Sequence, residues 1–184
     1  GIDDRARAVV YAHSMGGAVL ARALTSRSLP PEIVGVVLSA PAVAVQTSRV
    51  MRIKARIGRI AKAVVPTRTL STGLAVDGIS SDPAEVQRYL DDALVHDRIS
   101  LRLADSLLRE GPLAVPLAAR AKVPVLLVHG EADPIIPVAG SRAFAAQGGA
   151  AIVTFPGGRH ESHHEVPAIR EALFAAVRGF VDAC

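Results

Sequence analysis

A serine hydroxyl becomes a nucleophile when a base takes its proton and the backbone holds it clear of its neighbours. The run Ala12-His13-Ser14-Met15-Gly16-Gly17 has the composition for this. It approximates G-x-S-x-G, with Ala12 at the first small position and Gly16 at the second, where a sharp turn from strand to helix would crowd larger side chains. The backbone N–H of Met15, next after the serine, is placed to donate to an oxyanion forming on an acyl carbon. Read alone, the run also describes a helix cap, with Ser14 accepting from the first turn and His13 in the core.

Two further residues favour the nucleophile. Asp133 follows the apolar run 123–128 in a loop stiffened by Pro134 and Pro137, and His160 follows the apolar run 151–155 after Gly157-Gly158. Serine, acid and histidine then come in that order, each just past a different strand. His160 is the expected general base and Asp133 the acid that fixes its tautomer. Glu131 competes as the acid, and His163 and His164 compete as the base. His96 and His129 read as structural, the one within a helical stretch and the other at the end of a core strand. The segment His160-Glu161-Ser162-His163-His164 also fits H-E-x-x-H, in which two histidines one turn apart bind zinc. That motif needs a continuous helix. Gly157-Gly158 precede it, and Pro167 would clash with the carbonyl of His163 if a helix ran through both. The expectation is therefore no metal and no cofactor.

The elements that must carry these residues follow from periodicity. Residues 8–12 form a short apolar run, and Ala18, Leu20, Ala21 and Leu24 follow at helical spacing, which predicts strand, tight turn and helix. Pro30-Pro31 closes that unit, and 33–38 is a strand rich in β-branched residues. From 45 to 119 the pattern predicts helices and turns with no strand. Ile53, Ile57, Ile60 and Val64 recur opposite Arg52, Arg56, Arg59 and Lys62, a basic amphipathic helix that could face solvent or dock on anionic lipid. Asp82 is the expected cap of a helix with Pro83 at its first position, Glu85 reaching back, and Val86, Leu90 and Leu94 on one face. Leu103, Leu107 and Leu108 mark another helix, closed by Gly111-Pro112. Strands return at 123–128 and 151–155, with helices near 141–147 and from about Pro167, the latter carrying Ile169, Leu173, Val177 and Phe180. The fold class is α/β: a parallel sheet with right-handed crossovers and its sites at the carboxyl ends of the strands. Residues 1–44 and 120–184 build the core, and 45–119 form a helical insertion.

Composition narrows the partners. Only 3% of the 184 residues are aromatic, so the core must be built from Ala, Val, Leu and Ile. The net charge of +4 comes from arginines spread along the chain, without the interleaved rings that stack bases, so no nucleic acid is expected as partner. The apolar runs fall far short of the roughly 20 residues that span a bilayer. The single cysteine, Cys184, allows no intramolecular disulfide, and a reducing, cytoplasmic setting is the expectation. Oligomeric state is not encoded in any of these features.

These residues resemble the monoacylglycerol lipase and lysophospholipase-like branch of the α/β-hydrolases, grouped with serine aminopeptidase-like hydrolases. The elbow around Ser14 looks like that branch's G-H-S-M-G-G. Val37-Leu38-Ser39-Ala40-Pro41-Ala42 is similar to the strand that follows, His129 to Pro137 to the acid loop, and Gly157-Gly158-Arg159-His160-Glu161 to the histidine loop. Ala93-Leu94-Val95-His96-Asp97 resembles a D-P-L-V stretch of the cap. Ala12 departs from the branch's glycine, and His164 stands where asparagine is usual. The resemblance implies an ester hydrolase acting on a small acyl ester or lipid, with the insertion as a cap over the acyl chain and a possible peripheral contact with membrane. It also implies early strands and an H-G loop, donor of the second oxyanion hydrogen bond, upstream of Gly1. Two alternatives stand beside it: a fragment incompetent without that upstream half, and acyl transfer or peptide hydrolysis by the same three residues.

Overall fold

The structure is a computed structural model that describes residues 7–44 and 67–184. The basic helix expected around 49–64 lies outside the described residues. Four strands form one parallel sheet: β1 (Ala8–His13), β2 (Ile33–Ser39), β5 (Val125–Gly130) and β6 (Ala151–Phe155), in the order β1-β2-β5-β6. Val10 pairs with Val36, Val36 with Val125 and Leu127 with Ile152, which brings the carboxyl ends of all four to one edge.

The central strands read as unbroken apolar runs because both faces are covered. Successive side chains alternate between faces. Val36, Leu38, Val125 and Leu127 meet α1 (Ser14–Ser26) through Ala21 and Leu24, and meet Phe144 of α4 (Val138–Gly148). Val37, Leu126 and Val128 meet Leu173 of α5 (Pro167–Asp182). Phe144 and Phe155 are the phenylalanines buried within this core, which is otherwise aliphatic.

Between β2 and β5 the structure departs from the periodicity. Two short strands, β3 (Thr69–Ser71) and β4 (Arg98–Ser100), pair antiparallel where only helices and turns were expected. Asp82 caps α2 (Pro83–Asp91) by accepting from Ala84 N–H, but Glu85 does not reach back. The N–H of Asp82 bonds Ser80 Oγ instead, and Glu85 pairs with Arg88 at 2.8 Å. The helix stops at Asp91, so Leu94 lies beyond it and is 89% exposed. Helix α3 (Leu101–Leu113) runs through Gly111 and Pro112 rather than ending there. A turn of 3-10 helix, Val115–Arg120, follows it, and Ala114 and Ala118 enter the main core beside α1.

Candidate active site

β1 delivers Ser14 to the rim of the sheet. The serine is the first residue of α1 and lies at φ +52°, the left-handed region that side chains avoid. A non-glycine residue held there costs of order 1–3 kcal/mol, and such strain collects at functional sites. His13, in the N-cap position, makes no side-chain cap bond, and Ser14 Oγ lies 2.9 Å from His160 Nε2. Capping is thus not what the hydroxyl does. The crowding expected at Gly16 is found one residue later. A Cβ on Gly16 would meet nothing within 4 Å, whereas one on Gly17 would lie 2.9 Å from Cα and Cβ of Pro41.

Asp133 follows β5 and is wholly enclosed. Its Oδ1 accepts from the N–H groups of Ile135 (2.8 Å) and Ile136 (2.9 Å), and its Oδ2 faces His160 Nδ1 at 2.7 Å. Burial by itself raises a carboxyl pKa. Here the hydrogen bonds from His129 and His160 and the Ile136 N–H outweigh it and hold Asp133 well below the usual carboxylate range. An ionised Asp133 only accepts, so the proton of His160 sits on Nδ1. Nε2 is then left as acceptor for the Ser14 hydroxyl.

The histidine loop is fastened from two sides. A Cβ on Gly130 would lie 2.2 Å from the carbonyl oxygen of Arg159, so the strand end and the loop approach as only glycine permits. From the insertion, Gly78 O accepts from His160 N–H (3.2 Å) and Ile79 O from Glu161 N–H (2.8 Å). The fully buried Glu165 accepts from the N–H groups of Arg159 and Ser81 and from the Ser81 hydroxyl. Residues 76–81 therefore brace the loop that holds His160.

Of the competing residues, Glu131 is drawn away to Arg142 and Thr154. His164 pairs with Glu161 at 2.8 Å. His163 packs its ring on His13 and His164. Ser162–His164 is a single 3-10 turn, so the segment 160–164 is not the continuous helix that H-E-x-x-H zinc sites use. His96 accepts from the Arg98 N–H in the β3–β4 region. His129 is fully buried and closer to Asp133 than its place in a core strand suggested. Its Nε2 lies 3.2 Å from Asp133 Oδ2 and 3.0 Å from Ile136 O, two acceptors, so Nε2 carries the proton and Nδ1 accepts from the Ser141 hydroxyl at 2.7 Å. The four-residue spacing of His129 and Asp133 was its one signal. Glu165 had none.

His13 lies between Ser39 (Nδ1 to Oγ, 3.2 Å) and the His160 ring, 4.8 Å away. Burial, then the positive charges that His160 and His163 can carry, push it from 6.5 down to about 3. A histidine lowered on folding binds its proton more readily in the unfolded chain. The contribution is nil at neutral pH, and stability is lost as pH falls from 6.5 towards 3. We expect denaturant midpoints to drop through this window, by up to about 1.4 kcal/mol per pH unit for this one group. His13→Asn should flatten that slope. An unchanged slope in the variant would remove His13 from the account.

A parallel sheet wound between helices, with serine, acid and histidine on three strand exits, is the arrangement of an α/β-hydrolase. The sequence matches the family described as serine aminopeptidase, S33, over residues 3–167, and the chain belongs to that family, in its monoacylglycerol lipase-like branch. The monoacylglycerol lipase of Mycolicibacterium smegmatis is 34% identical over 164 residues, covering 85% of this chain and 56% of its own length. The crystal structure of Paleococcus ferrophilus monoacylglycerol lipase superposes with a TM-score of 0.85 at 33% identity, over 95% of this chain and 68% of that one. A soluble variant of monoglyceride lipase from Saccharomyces cerevisiae, solved with a substrate analog, shares the fold with a TM-score of 0.81 at 24% identity, over 94% of this chain and 64% of that one. The chain thus spans little more than half the length of the mycobacterial relative.

Proposed function

We propose that the protein hydrolyses carboxylic esters of the monoacylglycerol or lysophospholipid kind, with Ser14 as nucleophile, His160 as base and Asp133 as its orienting acid. The observation that carries this is the unbroken hydrogen-bonded path from Ser14 Oγ through both nitrogens of His160 to Asp133. The strained serine at the head of α1 and the similarity to monoacylglycerol lipases support it.

Ser14 Oγ attacks the acyl carbon as its proton passes to His160 Nε2. The ionised Asp133 stabilises the imidazolium that forms, and the Met15 N–H donates to the oxyanion. His160 then gives the proton to the departing alcohol, leaving an acyl group on Ser14. Water, deprotonated by the same Nε2, releases the fatty acid and restores the serine.

The test is release by the full-length protein of fatty acid from a monoacylglycerol and a lysophospholipid and, in parallel, of amino acid from an aminoacyl amide, with a fluorophosphonate probe to mark the nucleophile. Ester cleavage and labelling at Ser14 are expected. Amide cleavage without ester cleavage would transfer the site to peptide chemistry, and labelling elsewhere would remove Ser14 from its role.

A further inference from the structure

The histidine loop carries a second group of side chains that the ester chemistry does not use. Glu161, His163 and His164 each present a ligand atom, and these atoms all lie within 4.8 Å of one another. Four-coordinate zinc needs its ligands about 3.4 Å apart, given metal–ligand distances of about 2.0–2.1 Å. His164 Nδ1 and Glu161 Oε2 are already 2.8 Å apart, and the half-exposed His164 side chain has room to turn towards a shared ion. An independent observation singles out His163. Its Nδ1 is the one buried side-chain nitrogen or oxygen without a hydrogen-bond partner among the described residues. Leaving such a group unmet is costly, and an ion or water is the usual remedy. The cluster opens on a cleft of about 380 Å³ whose wall adds the carboxylates of Glu85 and Asp92 against the single cation of Arg88. That balance draws positive charge.

We propose that Glu161, His163 and His164 bind a divalent first-row transition metal, zinc by preference, and that its occupancy slows ester hydrolysis. Two imidazoles and one carboxylate suit zinc, whereas magnesium and calcium prefer an all-oxygen shell. This is not the H-E-x-x-H arrangement. That motif would take His160 as a ligand, but both nitrogens of His160 are already engaged by Ser14 and Asp133. The link to turnover is electrostatic and rests on the proposed hydrolase reading. The His163 ring lies 5.0 Å from His13, which lies 4.8 Å from His160. A dication only partly neutralised by Glu161 opposes the positive charge His160 must take up in the transition state. At this remove the expected slowing is about tenfold.

The experiment is titration of the metal-stripped full-length protein with zinc by calorimetry, and with cobalt, read by its visible d–d absorption. One zinc per chain is expected at micromolar affinity, with no comparable binding of magnesium. Glu161→Gln, His163→Ala and His164→Ala should each weaken it at least tenfold, and the half-exposed His164 can be removed with the least risk to folding. His160→Ala should keep the metal. Loss of zinc in that variant would instead favour H-E-x-x-H, and the absence of saturable binding, or binding indifferent to His164→Ala, would overturn the site. Calorimetry reads the metal whatever the substrate proves to be, so failure of the hydrolase reading leaves this arm standing. In the hydrolysis assay, saturating zinc should slow the parent protein and spare His164→Ala. Binding without slowing would overturn the coupling.

Discussion

Ser14→Ala is expected to lower kcat for ester hydrolysis by about 10⁴- to 10⁶-fold, the range seen when the nucleophile of a serine–histidine–acid site is removed. Little else should change. Ser14 Oγ caps nothing, and its partner is His160 Nε2. The φ of +52° belongs to the backbone and burdens alanine as it does serine, so the variant should unfold at a similar denaturant concentration. Substrate affinity should survive, because the lost group acts in the transition state and not in binding. Steady-state kinetics on a monoacylglycerol and on a short-chain p-nitrophenyl ester, with fluorophosphonate labelling alongside, would check this. A variant retaining more than a tenth of the parent rate would end the assignment of Ser14.

The meeting of Ser14, Asp133 and His160 was legible in the sequence because each stands just beyond a short apolar run, and their chain order follows from the order of the strands they leave. What braces those residues was not. Glu165 precedes Val166-Pro167 in no recognisable pattern, and its partners Arg159 and Ser81 are joined only by folding. The crowding at Gly17 comes from Pro41, more than twenty residues away, so the sequence could only suggest that some nearby glycine was crowded. The ribbon of β3 and β4 escaped for a different reason. Three residues are too few to show a period of two, and Thr69–Ser71 is exposed throughout, with no buried face to read. In α3, Gly111-Pro112 carries every local signal for a helix end. Packing overrides it, because a Cβ on Gly111 would lie 2.3 Å from Ala42 O, and the glycine there serves close approach rather than termination.

Asp133→Asn is expected to cost about 10⁴-fold in kcat, though the side chain keeps its shape. The hydrogen bonds dictate how the amide must sit. The atom in the place of Oδ1 accepts from the N–H groups of Ile135 and Ile136, so it has to be the amide oxygen. The NH₂ group then takes the place of Oδ2 and points at His160 Nδ1 and His129 Nε2, both of which donate in the parent protein. His160 can meet a donor there only by moving its proton to Nε2, and Nε2 is the atom that must accept from Ser14. The base is thereby blocked without being displaced. His129 meets the same conflict, and if it shifts its proton to face Ser141, the bond to Ile136 O is lost. Some loss of stability should therefore accompany the loss of rate. Removing the side chain altogether separates the two effects. Asp133→Ala supplies no wrong donor, so His160 keeps access to the productive tautomer while losing its anchor. We expect Asp133→Ala to be the less stable of the two but no slower in fluorophosphonate labelling. Parallel labelling rates and denaturation midpoints for both variants measure this, and an Asp133→Asn protein within tenfold of the parent rate would exclude Asp133 as the orienting acid.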